Sequence, residues 1–549
     1  MFSPIRPLSM LLLSLLACGG GKGGEEGEGG GADGGGEGGD DGPGEATCTN
    51  TGFLPEAVSW TMPPNSLKSE PQWSDLSGSA EGRCEADSTE DGIVRHNLLD
   101  LTGDGAADMV VTLDACASGE VGDAIWWVYP AEGNGFASSP LEWSMPPDSL
   151  KSEAQWENLG GTVSGRCAED ATQDGDLRFS LLDLSGDGAP DMVVTLDACA
   201  SDEVGDSIWW VYENTGSGFA SEPTAWSLPP DSLKSVAQWE NLAGSASGRC
   251  ADDASQDGDL RYSLLELTGD AKVDLVVYKD ACGSDEVGDS IWWVYENTGS
   301  GFSSSPTEWT MPPDSLKSTA QWEQLGGSVS GRCASDSTEE GVLRFSLLDL
   351  SGDGALDVVV SLDDCADDAV GESVWWVYAG EDGGFSSAPT AWTMPPDSLK
   401  SEPQWEEIAG TVSGRCATDS TEEGLVRFSL VDLSADGAAD LVVTEDECAN
   451  GDLGDTAWWV YLNEGSGFAQ SPATWTMPAA SLKSEPQWTA LAGAVSGRCA
   501  EDSTKDGTMR FSLGELTGDY ALDIVITQDD CVDDAVGESI WRVFPGDCR

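Results

Sequence analysis

A tryptophan stands at positions 60, 143, 226, 309, 392 and 475, each 83 residues beyond the last. A unit of that size, run six times, cannot bury its apolar face alone and has to stack on its neighbours. Other landmarks keep the register. Trp73, Trp156, Trp239, Trp322, Trp405 and Trp488 form a second column, and the pair Trp126-Trp127 recurs as Trp209-Trp210, Trp292-Trp293, Trp375-Trp376 and Trp458-Trp459. At the sixth place the pair becomes Trp541-Arg542, so four columns with that single gap hold all 23 tryptophans. Residues 48–549 are therefore read as one array of six repeats, starting at 60, 143, 226, 309, 392 and 475, with the sixth stopping at Arg549.

Inside a unit the pattern is that of strands. In the second unit residues 177–184 (LRFSLLDL) alternate and end at a Gly-Asp-Gly turn, 191–196 (DMVVTL) are β-branched and apolar, and 208–212 (IWWVY) form another strand before the turn at 214–218 (NTGSG). A fourth run, 219–228, contains Pro223 and suits an outer or edge strand. Four short antiparallel strands per unit, six times over, predict an all-β chain: a β-propeller of about six four-stranded blades. The PPDSLKS and QWENL segments lengthen each unit and read as a loop with a short helical turn.

The two ends of the array complement each other. The stretch from Gly52-Phe53 to Trp60 matches the segment that closes units one to five, whereas the sixth unit stops after Trp541-Arg542-Val543-Phe544 without it. The N-terminal strand is thus expected to close the ring. Cys48 and Cys548 flank these ends and are expected to form a disulfide clasp, the alternative being two unrelated surface cysteines. Twelve further cysteines fall two to a unit: Cys84 and Cys116, Cys167 and Cys199, Cys250 and Cys282, Cys333 and Cys365, Cys416 and Cys448, Cys499 and Cys531. Pairing within each unit is expected, and pairing with the next unit stays open. Either way no thiol is left for catalysis, and the CxxC spacing of zinc sites is absent.

Ahead of the array, Arg6, the apolar run 8–16 and Ala17 precede Cys18, the pattern of an export signal too short to span a bilayer. Leu15-Leu16-Ala17-Cys18 resembles the lipobox of bacterial lipoproteins, which implies a signal peptide at 1–17, cleavage before Cys18 and a lipid on its sulfur. An ordinary signal peptide with a chance cysteine is the plainer alternative. Gly19 resembles the outer-membrane sorting pattern, and 18–47, rich in Gly, Glu and Asp, read as a solvated tether. The expected location is the outer membrane or cell surface, with membrane contact through the lipid anchor only. Asp and Glu number 99 against 25 Lys and Arg, a formal charge of -74. Such a field repels nucleic acid, and bound divalent cations would relieve it.

Aspartates carry most of the candidate chemistry. In the first unit Asp100, Thr102, Asp104 and Asp108 place oxygens at loop positions 1, 3, 5 and 9, with Gly105 at 6, an arrangement that lets a short loop wrap a hard cation. The segment DLTGDGAADMVV, followed later in the unit by turns such as ENTGSGFA, resembles the FG-GAP and VCBS repeats of integrin α-subunit propellers and bacterial surface proteins. That resemblance implies Ca²⁺ as the cofactor and Asp100, Asp104 and Asp108 as ligands, with Thr102 supplying a neutral oxygen in place of the usual Asn or Asp. It carries over to Asp183, Ser185, Asp187 and Asp191; to Asp349, Ser351, Asp353 and Asp357; and to Asp432, Ser434, Asp436 and Asp440. Units three and six depart from it: Glu266 and Glu515 replace the first Asp, and Ala271 and Tyr520 replace the glycine. Four loops are expected to bind and two are doubtful. Asx turns without metal are the plainer reading of the same residues.

Other motifs are weaker. The acidic stretch from Asp87 to Gly92 has Arg95 at its ninth place and reads as a salt-bridged turn. Lys68, Arg83 and Arg95 recur in every unit and are expected to pair with acids between blades. The tryptophans are expected to pack between blades rather than to stack on sugars. His96 is the only histidine, so no histidine triad or histidine metal site can be built. These observations favour a monomeric, surface-displayed binding or adhesion module for a protein or glycan over an enzyme. An extracellular polysaccharide hydrolase or lyase, and a purely structural surface protein, are the alternatives.

Overall fold

The computed structural model describes residues 50–63, 72–74, 76–81, 92–114, 125–146, 155–157, 159–164, 175–197, 208–229, 238–240, 242–247, 258–268, 270, 272–280, 291–312, 321–323, 326–330, 341–363, 374–381, 383–395, 404–406, 409–413, 416, 423–446, 457–478, 487–489, 491–496, 507–519, 521–529 and 540–548. Every regular element among the described residues is a β-strand. The second unit shows the plan: Gln155–Glu157, Gly160–Ser164, Asp176–Leu182, Asp191–Asp197, Ile208–Tyr212 and Thr224–Ser227. Each strand pairs antiparallel with the next, placing Leu177 opposite Leu196 and Trp209 opposite Trp226. The last strand begins just after Pro223, whose missing N–H would leave a gap in the ladder. Phe219 lies outside it and meets Asn214 in an isolated bridge.

The four strands read from the sequence form the body of each blade. The structure adds a short hairpin at one edge, in our example Gln155–Glu157 with Gly160–Ser164, where the QWENL segment was expected to be a loop with a helical turn. Six sheets built on this plan make up the array, five of six strands and one, in the third blade, extended to eight by the short pair Gly380–Glu381 and Gly384–Phe385.

Alternation along a strand sends successive side chains to opposite faces, and here both faces are buried. Met192 and Val194 join a core with Val110, Trp126 and Trp143 of the first blade, while Val193 between them joins Tyr262 and Val277 of the third. That explains the unbroken apolar run DMVV: a strand sandwiched between two neighbours has no solvent face. The paired tryptophans divide in the same way. Trp126 is wholly buried in the core with blade two, and Trp127 packs from the other face on the core with blade six.

Six such cores lie between consecutive blades. One of them joins Val525, Trp541 and Val543 of the sixth blade to Val94, Met109 and Val111 of the first, so the array closes on itself as a six-bladed propeller. At each boundary a phenylalanine from the Gly-Phe turn inserts edge-on between two tryptophans of the preceding blade. Phe219 meets Trp126 at 6.1 Å and Trp143 at 5.9 Å, near-perpendicular geometry that aromatic quadrupoles favour.

The closure expected from the chain ends is present. Val58–Thr61 pairs with Ile540–Phe544, Trp60 facing Trp541, and completes the sixth blade. Asn50–Phe53 pairs with Gly546–Cys548, and Phe53 reaches Trp458 at 6.0 Å and Trp475 at 5.4 Å. The two ends thus supply the Gly-Phe turn that the sixth unit lacks. Cys548 lies opposite Asn50 in that ladder, while Cys48 falls outside the described residues. So do Cys18, Cys84, Cys116, Cys167, Cys199, Cys250, Cys282, Cys333, Cys365, Cys448, Cys499 and Cys531, together with residues 1–49, Lys68 and Arg83. Cys416 is buried and disulfide-bonded. No helix among the described residues is long and apolar enough to cross a membrane.

Candidate metal-binding loops

Each aspartate loop joins the two longest strands of a blade, in the first unit Ile93–Leu99 and Asp108–Asp114. The chain turns there through two glycines in the left-handed region, Gly103 at φ 74° and Gly105 at φ 90°. In the fifth unit Ala435 holds the place of Gly103 at φ 60°, a conformation that costs a side-chain-bearing residue on the order of 1 kcal/mol.

The first aspartate organises the turn. Asp100 accepts hydrogen bonds from the amides of Gly103 at 2.7 Å, Asp104 at 3.1 Å and Gly105 at 2.8 Å. Asp183, Asp349 and Asp432 repeat the pattern, each taking the amide five residues on at 2.8–2.9 Å. Position 5 is the exposed member. Asp104, Asp187, Asp353 and Asp436 each accept one amide two residues ahead through Oδ1 and point outward. At position 3 the units differ: Ser185, Ser351 and Ser434 lie 3.4–3.5 Å from the first aspartate, whereas Thr102 Oγ1 is buried without a hydrogen-bond partner.

Position 9 behaves otherwise than a free ligand. Asp108 is fully buried, its Oδ2 taking the amides of Leu101 at 3.0 Å and Thr102 at 2.9 Å and its Oδ1 the amide of Ala131 at 3.2 Å. Asp191, Asp357 and Asp440 repeat these contacts. Asp523 of the sixth unit does so too, while Asp274 of the third accepts the Asn297 amide at 2.9 Å and a longer 3.5 Å contact from Leu267. This aspartate ties the loop to the turn 23 residues later, a structural duty that reading it only as a ligand did not reveal.

Burial, outweighing these amides, raises the carboxyls of Asp108, Asp191, Asp274 and Asp440 to about 6, and Asp357 moves the same way. Asp100, Asp349 and Asp432 are also raised by burial. In the sixth unit burial, with Asp523 and Asp519 nearby, pushes Glu515 to about 8, and burial pushes Asp523 to about 7. Glu515 Oε2 is buried without a hydrogen-bond partner.

Among the described residues no three Asp, Glu, His or Cys side chains converge as a preformed metal cluster. The donor chemistry nonetheless fits a hard cation: carboxylate oxygens at positions 1 and 5, hydroxyls at position 3, and, in the first loop, a Thr102 hydroxyl that is buried without a hydrogen-bond partner. Loops of successive blades also touch. A Cβ on Gly103 would lie 3.2 Å from Ala189 Cβ, on Gly352 3.0 Å from Ala438 Cβ, and on Gly518 3.6 Å from Ala106 Cβ.

Sequence reasoning took Asn214 for a turn residue only. Its side-chain amide donates to Leu101 O of the preceding blade's loop and to Pro190 O of its own, both at 3.0 Å, while its Oδ1 accepts the Gly216 amide at 2.8 Å. Asn297 and Asn463 do the same. The signal was the asparagine opening the NTGSG turn. Of the recurrent arginines, Arg178 meets Asp176 on its own strand at 3.6 Å. Of the acidic stretch from Asp87 to Gly92, residues 87–91 lie outside the described residues. His96 is fully buried, where other units place Phe179, Tyr262, Phe345, Phe428 and Phe511.

No family model matches the chain, and no curated protein matches it. Among solved structures, that of the Photorhabdus luminescens Tc holotoxin pore is similar at 16% identity with a TM-score of 0.27, over 82% of this chain and 17% of that one. The chain therefore spans about a sixth of that protein's length, and a likeness this slight carries no functional argument.

Proposed function

We propose that this protein is an exported, lipid-anchored binding or adhesion module of FG-GAP/VCBS type, a rigid propeller whose four intact aspartate loops take Ca²⁺ and which recognises a protein or glycan. The observation that carries it is the make-up of those loops. Asp100, Asp183, Asp349 and Asp432 are held in place by backbone amides, and exposed acids stand four residues on at Asp104, Asp187, Asp353 and Asp436. Crowding such charges in one turn strains the metal-free fold, and a bound divalent ion relieves it. Anchoring through Cys18 and the disulfides, including the Cys48–Cys548 clasp, belong to the same proposal and rest on the sequence.

Calcium titration of the purified protein tests it. Binding to the native state alone stabilises by RT ln(1 + [L]/Kd), about 2.7 kcal/mol per site at a hundredfold excess over Kd, so Ca²⁺ is expected to raise the melting temperature more than Mg²⁺. Asp187→Ala is expected to remove one site by calorimetry, and Asp270→Ala in the degenerate third unit to remove none. Absence of calcium binding at millimolar concentration, or equal behaviour of the two variants, would reduce the loops to turns. Fractionating cells that express Cys18→Ala checks the anchor, since that variant is expected to leave the membrane fraction.

A further inference from the structure

Loop position 7 is alanine in five units, Ala106, Ala189, Ala355, Ala438 and Ala521, and lysine in the third, Lys272. That position is where a loop touches its predecessor, so Lys272 lies across the loop of unit two. A Cβ built on Gly186 would come within 2.7 Å of Lys272 Cγ, 3.3 Å of Cδ and 3.2 Å of Cε. The lysine stem therefore runs over the turn that holds Asp183 and Asp187. Its ammonium stands 3.5 Å from Asp270 Oδ2, the position-5 acid of its own loop. The third unit is also the one where Glu266 and Ala271 break the calcium pattern. A fixed positive charge thus sits on the seam between one intact loop and one degenerate loop.

We propose that Lys272 is a built-in counter-ion that takes over the charge of a metal in the third loop and weakens cation binding in the second. This inference rests on the calcium reading of the intact loops. The first half follows from the ion pair: Asp270, which in an intact loop would face a cation, faces the lysine ammonium. The second half follows from distance. The ammonium and a divalent ion in loop two would lie within about one Debye length, so their repulsion survives at low ionic strength and costs roughly a two- to fivefold loss of affinity there. The second loop is then the weakest of the four, although its Asp183, Ser185, Asp187 and Asp191 match the pattern as well as the others do.

The test uses Lys272→Met, which keeps the stem over Gly186 and removes the charge, with Lys272→Arg as the charge-preserving control. Calorimetric titration of the full protein with Ca²⁺ at low salt is expected to show one site tightened two- to fivefold in Lys272→Met and unchanged in Lys272→Arg. The gain is expected to vanish at high salt and in an Asp187→Asn background. Unchanged affinity in Lys272→Met, or a gain that survives Asp187→Asn, overturns the effect on loop two. Melting in chelator reads the counter-ion role without calcium: Lys272→Met is expected to lower the melting temperature, and Lys272→Met with Asp270→Asn to restore it. A melting loss that Asp270→Asn leaves in place overturns the counter-ion role. Failure of the wild type to bind calcium at any loop sinks the calcium reading and the loop-two effect, while the chelator arm still decides the counter-ion role.

Discussion

Asn214 joins two blades through one side chain, and its hydrogen bonds show what a single residue contributes at a repeat boundary. Its amide donates to two carbonyls, Leu101 O and Pro190 O, both of which belong to loops outside the strands. Replacing it with alanine leaves these carbonyls and the Gly216 amide to find water in a place where Asn214 itself is 7% exposed. Such loss typically costs roughly 1–3 kcal/mol. Units one, four and six do without the link, having Ala131, Gly380 and Gly546 there. At two of these boundaries backbone contacts stand in: Thr61 bridges Gly135, and Thr310 pairs with Gly384. Asn214→Ala is therefore expected to lower the chemical-denaturation midpoint, whereas Ala131→Asn is expected to yield no comparable gain. Equal stability of Asn214→Ala and wild type would show that the link is dispensable.

At the scale of elements, the loop between the two long strands of blade six makes the sharpest electrostatic prediction. Glu515 and Asp523 are raised to about 8 and about 7 by burial, so the native state holds protons that the unfolded chain has released above its ordinary carboxylate range. Stability from these groups is full below about pH 4 and is lost as pH rises through about 7 to 8. In chelator the wild-type melting temperature is expected to fall between pH 5 and pH 8, and Glu515→Gln is expected to flatten that fall; a pH profile unchanged by the substitution would remove Glu515 as the cause. Such a loop was only partly legible beforehand. The strands Asp176–Leu182, Asp191–Asp197 and Ile208–Tyr212 stood out because alternation and β-branching act over neighbouring residues. The hairpin Gln155–Glu157 with Gly160–Ser164 did not, because Leu159 carries its turn at φ 60°, where turn rules look for glycine or asparagine. The bracing by Asp108 was hidden for a different reason: its partner amide at Ala131 lies 23 residues away, on a turn that only the folded sheet brings alongside.

For the whole molecule, ring closure decides how the array holds together, since each of the six cores needs a blade on both sides. The terminal pairing of Asn50–Phe53 with Gly546–Cys548 occupies in the sixth blade the place that the turn from Ala131 to Phe136 occupies in the first. Phe53↔Gly546 repeats the Phe136↔Ala131 bridge, and Phe53 meets Trp458 and Trp475 as Phe136 meets Trp541 and Trp60. The break between the termini is then equivalent to a cut turn, and its position carries no special energy beyond the entropy of joining the ends. A circular permutant that links residue 548 to residue 50 by a short glycine-serine turn and opens the chain at exposed Gly133 is expected to fold, with a melting temperature within a few degrees of the wild type. Deleting residues 50–61 without replacement is expected to fare far worse, because it removes the strand Val58–Thr61 and the buried Trp60, whose loss alone typically costs about 3–5 kcal/mol. Circular dichroism melts of the two proteins decide the matter: a permutant as unstable as the deletion would mean that the natural ends, and not merely a covered sixth blade, hold the ring shut.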